Sequence, residues 1–152
     1  MPGSHPSDEA EAYRLLMADV YELASAARRT SDRVAARHGQ SVARWHVMSV
    51  VAEEEVSVPG VASRLGLTRQ SVQRVVDRLA ADGLVARRDN PRHRASPLVG
   101  LTPAGRRVLD RLVADADADR EAMLAAGGVH RRDLLAARQT VRTLLALLRS
   151  RG

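Results

Sequence analysis

Residues 57–85 read SVPGVASRLGLTRQSVQRVVDRLAADGLV and contain the clearest structural pattern of the chain. Its pattern predicts two short helices joined by a tight turn at Gly66, because glycine readily adopts the left-handed conformation that ends many helices. Ser57 and Thr68 stand at the N-cap positions of the two helices, where a hydroxyl group can accept a hydrogen bond from a free backbone N–H. Gly83 ends the second helix. The stretch therefore predicts a helix-turn-helix.

The second of these helices is amphipathic. Its apolar side chains recur at steps of three and four residues and so share the inward face: Val72, Val75, Val76 and Leu79. The opposite face carries the polar side chains Arg69, Gln70, Gln73, Arg74, Asp77 and Arg78. The candidate DNA contacts of this helix are Arg69, Gln70, Ser71, Gln73, Arg74 and Arg78. The major groove of B-DNA is about 12 Å wide and admits one α-helix, and there arginine can pair with guanine and glutamine with adenine. This face therefore predicts a helix that reads double-stranded DNA.

A hairpin is predicted after the helix-turn-helix. Segments at 84–88 and 98–101 flank a polar stretch that begins with Asp89, Asn90 and Pro91, a sequence typical of turns. The hairpin carries the basic side chains Arg88, Arg92, His93 and Arg94. A thin basic projection suits a narrow minor groove, which attracts arginine. The hairpin thus predicts a wing that contacts DNA beside the helix.

The positive charge of the chain is concentrated in the same region. The formal net charge is +6, and all 24 basic residues are arginine. Residues 61–111 hold 11 arginines and four aspartates, a formal charge of +7, whereas the remainder carries −1. A GC-rich coding sequence would explain the preference for arginine but not this asymmetry. The asymmetry indicates an electrostatic footprint for nucleic acid.

Long helices are predicted on both sides of the winged region. Apolar side chains recur at helical spacing over 8–37 and 131–149, and Thr102 with Pro103 marks the start of another helix. The central region of one chain is too small to cover the apolar faces of these terminal helices, so the helices predict a homodimer.

The expected fold is mainly α with a small two- to three-stranded β wing. It comprises a flexible arm at 1–7, a single domain at 8–152, dimerisation helices at 8–38 and 103–150, and a winged helix-turn-helix at 41–102.

Several other classes of function lack support in the sequence. It contains no cysteine, and its five histidines include no pair spaced four residues apart. It has no motif for a catalytic serine, a nucleotide phosphate or a dinucleotide. We therefore expect no enzyme activity, no catalytic residue, no cofactor and no metal. No apolar run approaches the roughly 20 residues that cross a bilayer, so we expect a cytoplasmic protein with no membrane partner.

Trp45, the only tryptophan, supports two interpretations. It lies on the apolar face of a predicted helix, where it can serve as a core anchor. Alternatively, Trp45 lines a ligand cavity with Met17 and Met48, and Arg14 or Arg37 supplies a cation for a carboxylate or phenolate. No residue pattern identifies the ligand.

Three segments of the chain resemble the MarR family of dimeric winged-helix transcription regulators. WHVMSVVAEE at 45–54 resembles the second helix of the family, and residues 61–87 resemble its helix-turn-helix. NPRHRASPLVGLTPAGRRVL at 90–109 resembles its wing and the helix that follows. The resemblance implies that helices from both termini interlock in a homodimer. It also implies that a small anionic or phenolic ligand binds between the dimerisation and DNA-binding regions.

The resemblance assigns a role to the wing as well. Arg94 matches the arginine that the family inserts into the minor groove. Many members have an aspartate directly before this arginine, which orients it, whereas this chain has His93. The second of the paired arginines of the family is Ala95 here. The wing is therefore expected to be positioned more loosely, or to be positioned by Asp89.

These observations predict a sequence-specific transcription regulator that represses from a pseudo-palindromic operator, with half-sites about one helical turn apart. By resemblance, binding of the ligand lowers the affinity for DNA. Two alternatives remain open. One is a sequence-nonspecific architectural DNA-binding protein that uses the same face for phosphates only. The other is a winged-helix protein-interaction module whose arginines face an acidic partner.

Overall fold

The chain is mainly helical with one small sheet. The computed structural model describes residues 7–151. This part of the chain forms six helices and three strands. They are α1 (Asp8–Arg37), α2 (Val42–Glu53), β1 (Val56–Ser57), α3 (Val58–Leu65), α4 (Arg69–Ala81), β2 (Val85–Arg88), β3 (Leu98–Leu101), α5 (Pro103–Ala126) and α6 (Arg131–Arg149). The predicted fold class is confirmed.

The arm predicted at 1–7 lies outside the described residues except for Ser7. Ser7 is the N-cap of α1, and its side-chain oxygen accepts a hydrogen bond from the backbone N–H of Ala10 at 3.3 Å. Such a cap satisfies one of the backbone donors that a helix leaves free at its start. The long first helix therefore begins where its periodicity predicts.

The helices of the helix-turn-helix begin and end at the predicted residues. Ser57 and Thr68 each accept a hydrogen bond from the backbone N–H three residues later, at 3.4 and 3.1 Å. Gly66 ends α3 with a φ of 64°, in the left-handed region that favours glycine. Because both caps and the turn are local features, this unit is fixed by its own sequence.

The sheet has three antiparallel strands in the order β1-β3-β2. β2 and β3 form the predicted hairpin, with Val85 opposite Leu101. The position of β1 is not evident from the sequence: it has two residues and pairs with the other edge of β3, with Val56 opposite Val99. Since Ser57 belongs to β1 and also caps α3, this strand ties the wing to the start of the helix-turn-helix.

A core of apolar side chains holds α4 in place. Val72, Val76 and Leu79 of α4 are fully buried, as their spacing predicts. Other buried apolar side chains include Trp45, Val47 and Met48 of α2, Val61 of α3, Val85 of β2, Val99 of β3 and Leu112 of α5. Of these elements, α2, α3 and β2 pack directly against α4. Burying apolar surface stabilises a fold by about 25 cal/mol per Å². The core therefore fixes α4 with its polar face outward.

The chain divides into two compact units, and the boundary lies within α5 between Val113 and Ala114. The first unit contains the helix-turn-helix and the sheet. The second contains the remainder of α5 and α6. Every residue of α6 is at least partly exposed, including Leu134, Leu135, Val141, Leu145, Leu147 and Leu148. The single domain at 8–152 and the dimerisation helices remain predictions.

The start of α5 is anchored against the turn between α4 and β2. The Thr102 hydroxyl donates a hydrogen bond to the carbonyl oxygen of Gly83 at 2.6 Å and accepts one from the backbone N–H of Gly105 at 3.0 Å. The backbone N–H of Thr102 donates to the carbonyl oxygen of Leu84 at 3.1 Å. A Cβ on Gly105 would lie 1.9 Å from that same oxygen. The close approach therefore requires glycine at this position.

We predict that Gly105→Ala destabilises the protein by about 2 kcal/mol or more, because the added methyl group forces two backbone segments apart and this strain outweighs the higher helix propensity of alanine. Chemical denaturation at a fixed protein concentration measures the change. Gly127→Ala is the matched control, since its Cβ would meet its nearest neighbour, the carbonyl oxygen of Met123, at an ordinary 3.5 Å. Equal stability of the two variants would contradict the packing argument.

Candidate nucleic-acid interface

The polar face of α4 is exposed along its length. All six predicted contact residues of this helix are exposed: Arg69, Gln70, Ser71, Gln73, Arg74 and Arg78. The Ser71 hydroxyl donates a hydrogen bond to the carbonyl oxygen of Thr68 at 2.9 Å and accepts one from the Thr68 hydroxyl at 3.1 Å. Ser71 is therefore engaged in capping α4. The longer arginine and glutamine side chains form the surface that a ligand would meet.

Five arginines of α4 and the wing tip carry exposed charge without an acidic partner. Within residues 7–151, no carboxylate forms an ion pair with any of them. These five unpaired arginines are Arg69, Arg74 and Arg78 on α4, and Arg92 and Arg94 in the wing. Asp89 therefore does not hold Arg94 through an ion pair. The guanidinium groups are available to an anionic partner.

Two neighbouring arginines are paired with glutamates. Arg64 of α3 pairs with Glu54, and Arg88, a predicted wing contact, pairs with Glu55 at 3.2 Å. The acidic run at 53–55 thus contacts both α3 and β2. Exposed ion pairs add little to stability. Their effect here is to offset positive charge outside the α4 face and the wing tip.

One carboxylate connects α4 to the wing. The side-chain nitrogen of Gln73 donates a hydrogen bond to Oδ1 of Asp77 at 2.8 Å. The guanidinium group of Arg87 in β2 pairs with the same oxygen. Gln73 is among the predicted contacts, whereas Asp77 and Arg87 are not. The four-residue spacing of Gln73 and Asp77 places them on one face of the helix and could have predicted their hydrogen bond. No local spacing predicts the pair of Asp77 and Arg87.

Asn90 holds the wing tip in its turn. Its side-chain nitrogen donates a hydrogen bond to the carbonyl oxygen of Ser96 at 2.9 Å, and its side-chain oxygen accepts one from the backbone N–H of Arg92 at 3.1 Å. The backbone N–H of His93 donates to the carbonyl oxygen of Asn90 at 3.1 Å. Asparagine fixes turns by bonding the backbone two residues later. Asn90 therefore orders the loop that carries Arg92, His93 and Arg94.

An open groove lies between α4 and the wing, with a volume of about 340 Å³. Its polar lining comes from Arg69, Gln70, Gln73 and Arg87. Its apolar lining includes Val58, Pro59, Ala95, Pro97 and Val99. The donors of α4 and of β2 therefore face one common space.

The residues proposed from the sequence as a ligand cavity are in unequal environments. Trp45 and Met48 are buried in the core, as a core anchor requires. Met17 is half-buried, and Arg14 and Arg37 are exposed on α1. The core role of Trp45 is thus accounted for by packing, and its role in binding a ligand remains a prediction.

Two other kinds of site are not found in the described part of the chain. Among residues 7–151, no three histidine, aspartate or glutamate side chains form a group that could hold a metal ion. The helices of the same residues include none that is both long and apolar enough to span a membrane. The exposed basic face remains the most developed candidate site.

Comparison with known proteins connects this face to a family. Residues 38–96, which include α2, the helix-turn-helix and the wing tip, match the model of the MarR family. An uncharacterized protein of Mycobacterium tuberculosis is 53% identical over 97 residues, which cover 64% of this chain and 68% of that protein. The similarity thus includes sequence as well as fold.

Two solved structures share the fold over most of the chain. MarR of Staphylococcus aureus, in complex with salicylate and kanamycin, has a TM-score of 0.83 at 10% identity, and the match covers 93% of this chain and 95% of that chain. CouR of Rhodococcus jostii RHA1, bound to p-coumaroyl-CoA, has a TM-score of 0.69 at 23% identity, with coverage of 82% and 87%. At these identities the likeness shows the fold alone.

We predict that Asn90→Ala loosens the wing tip without unfolding the protein. The substitution removes two side-chain hydrogen bonds, each worth about 1 kcal/mol, from an exposed loop. Hydrogen exchange of the backbone amides at 92–96 should accelerate by roughly fivefold or more, since local opening controls exchange there. Asn90→Asp keeps the oxygen that accepts from Arg92 and should give an intermediate rate. Unchanged exchange in Asn90→Ala would remove Asn90 as the organiser of the tip.

Proposed function

Because this chain belongs to the MarR family of winged-helix transcription regulators, we propose that it is a sequence-specific DNA-binding repressor. In this proposal, a homodimer binds a pseudo-palindromic operator in the cytoplasm, with α4 in the major groove and the wing in the minor groove. A small anionic or phenolic ligand then lowers the affinity for DNA. The protein acts as a regulator and not as an enzyme.

The placement of the five unpaired arginines carries this proposal. Three lie on the exposed face of α4 and two at the wing tip. Guanidinium groups attract phosphates and pair with guanine in the major groove. Nearby Arg64 and Arg88 are paired with glutamates. Both elements that would enter the grooves of DNA therefore carry arginine charge that no carboxylate within residues 7–151 offsets.

The exposed leucines of α6 support a second copy of the chain. Leu147 is 55% exposed and Leu148 is 50% exposed, and four further aliphatic residues of α6 are exposed as well. Large exposed apolar faces are typical of surfaces that a partner covers. A two-fold dimer would present two copies of α4, which suits half-sites about 34–36 Å apart on a pseudo-palindromic operator.

Ligand control is supported by the structural neighbours. The Staphylococcus aureus MarR structure contains salicylate, and the CouR structure contains p-coumaroyl-CoA. We extend this property to the present chain, with Arg14 or Arg37 as the cation and with Met17, Trp45 and Met48 as the apolar wall. In this proposal the ligand favours a dimer whose recognition helices are spaced unsuitably for the operator, and this preference lowers the affinity for DNA.

Selection of bound duplexes from a random DNA pool tests the proposal. At about 150 mM salt, much of the phosphate attraction is screened. Enrichment of an inverted repeat would support a dimeric sequence-specific regulator. Binding without enrichment would favour a nonspecific architectural protein. Loss of all binding would favour a winged helix that contacts an acidic protein partner.

We predict that Arg74→Ala weakens binding to the selected site by about 1 to 3 kcal/mol and relaxes the preference at one base position, since a bidentate contact to a base is lost. Titration of labelled duplexes measures both effects. Arg33→Ala is the matched control, because Arg33 is equally an exposed helical arginine but lies on α1. Equal losses on every DNA sequence would contradict a base-reading role for Arg74.

We predict that Arg94→Ala lowers the slope of log affinity against log salt by about one, because one cation no longer displaces counterions from DNA. Arg88→Ala removes the same charge from the wing, but Glu55 already offsets that charge. Its slope should therefore change by clearly less. A slope unaffected by Arg94→Ala would exclude the wing tip from the DNA contact.

A further inference from the structure

We propose that Asp77 is a specificity-determining positioning residue of the DNA interface. It fixes the amide group of Gln73 for base contact, and it withholds the charge of Arg87 from the DNA backbone. This inference rests on the proposed function, because both effects matter only when α4 meets DNA. Asp77 is expected to act through these two neighbours and not by touching a base.

The side chain of Asp77 orients the amide group of Gln73. The side-chain nitrogen of Gln73 donates one hydrogen bond to Oδ1 of Asp77 at 2.8 Å. A primary amide has two N–H donors and one carbonyl oxygen. One N–H and the oxygen thus remain for a base, and that is the pair of groups with which glutamine contacts adenine in the major groove. Asp77 therefore orders Gln73 without using up its capacity to read a base.

Asp77 also neutralises the charge of Arg87. The guanidinium group of Arg87 pairs with the same carboxylate oxygen, and the side chain of Arg87 is 38% exposed. Without Asp77, Arg87 would have no acidic partner, like the five unpaired arginines. Arg87 lines the same groove as Arg69 and Gln73. Attraction to phosphates is independent of sequence, so an added cation strengthens binding to all DNA. Asp77 therefore limits nonspecific affinity.

Asp77 is an exposed carboxylate on the polar face of α4, and its presence there requires an explanation. The side chain of Asp77 is 56% exposed, and exposed ion pairs contribute little to folding stability. A negative charge on a surface that approaches phosphates also repels them. Asp77 is therefore explained poorly as a stabilising residue. Its position is explained if Asp77 lowers the affinity for all DNA and thereby increases the preference for one DNA sequence over others.

The experiment compares the base preferences of the wild-type chain, Asp77→Ala, Gln73→Ala and the double variant, each selected from the same random duplex pool. We expect Asp77→Ala and Gln73→Ala to relax the same base position, by roughly 5- to 100-fold in discrimination. The double variant should relax that position no further. Asp77→Ala should also bind random duplex more tightly, with a salt slope steeper by about 0.9.

Asp82→Ala is the matched control. Asp82 is the C-cap of α4 and pairs with Arg44 at 2.6 Å. Its removal changes the net charge by the same amount as removal of Asp77 but does not alter the contacts of Gln73 and Arg87. It should not alter the base preference. Asp77→Asn provides a second variant that retains an oxygen for Gln73, and it should keep the base preference while binding random duplex more tightly. Thermal melting verifies that each variant folds.

The outcomes separate this inference from the proposed function. If the wild-type chain enriches an inverted repeat but Asp77→Ala keeps the same preference at every position, the inference about Asp77 is wrong and the proposed function stands. The inference is also wrong if Asp82→Ala relaxes the same base position as Asp77→Ala. If the wild-type chain enriches no sequence, both the proposed function and this inference are overturned.

Discussion

The close contact between the start of α5 and the turn after α4 sets the geometry of the first unit. The carbonyl oxygen of Leu84 accepts a hydrogen bond from the backbone N–H of Thr102, and Gly105 passes beside it without a side chain. This turn joins the end of α4 to the start of β2. One contact therefore positions both the helix and the root of the wing. A displacement of the start of α5 would therefore move both elements together.

Side-chain pairing refines the charge pattern that the sequence shows. Residues 61–111 carry a formal charge of +7, but two of their arginines pair with Glu54 and Glu55, which lie outside that stretch. Asp77 pairs with a third. The arginines that remain without an ion pair include those of the α4 face and the wing tip. Because the Debye length at physiological salt is about 8 Å, the local arrangement of these charges matters more to a DNA backbone than the net charge of the chain.

The range of each interaction along the chain determined what could be predicted. The caps at Ser57 and Thr68 and the turn at Gly66 act within one helical turn, so the bounds of the helix-turn-helix followed from the sequence. The position of β1 was not predicted because two residues have no periodicity and because their partner strand is distant in the chain. The pair of Glu55 and Arg88 was missed for the same reason. Contacts between remote side chains depend on the packing of whole elements, and no local pattern specifies them.

The wing illustrates a different balance between order and charge. A carboxylate directly before Arg94 would orient its guanidinium group but would also offset its charge. This chain has His93 there, and Asn90 orders the loop through hydrogen bonds to its backbone. In the proposed complex, Arg94 therefore brings undiminished charge to the minor groove, while ordering its side chain on binding costs conformational entropy. Such a wing contributes affinity that falls with salt. Base selection then depends on α4, where Asp77 already holds Gln73 in position.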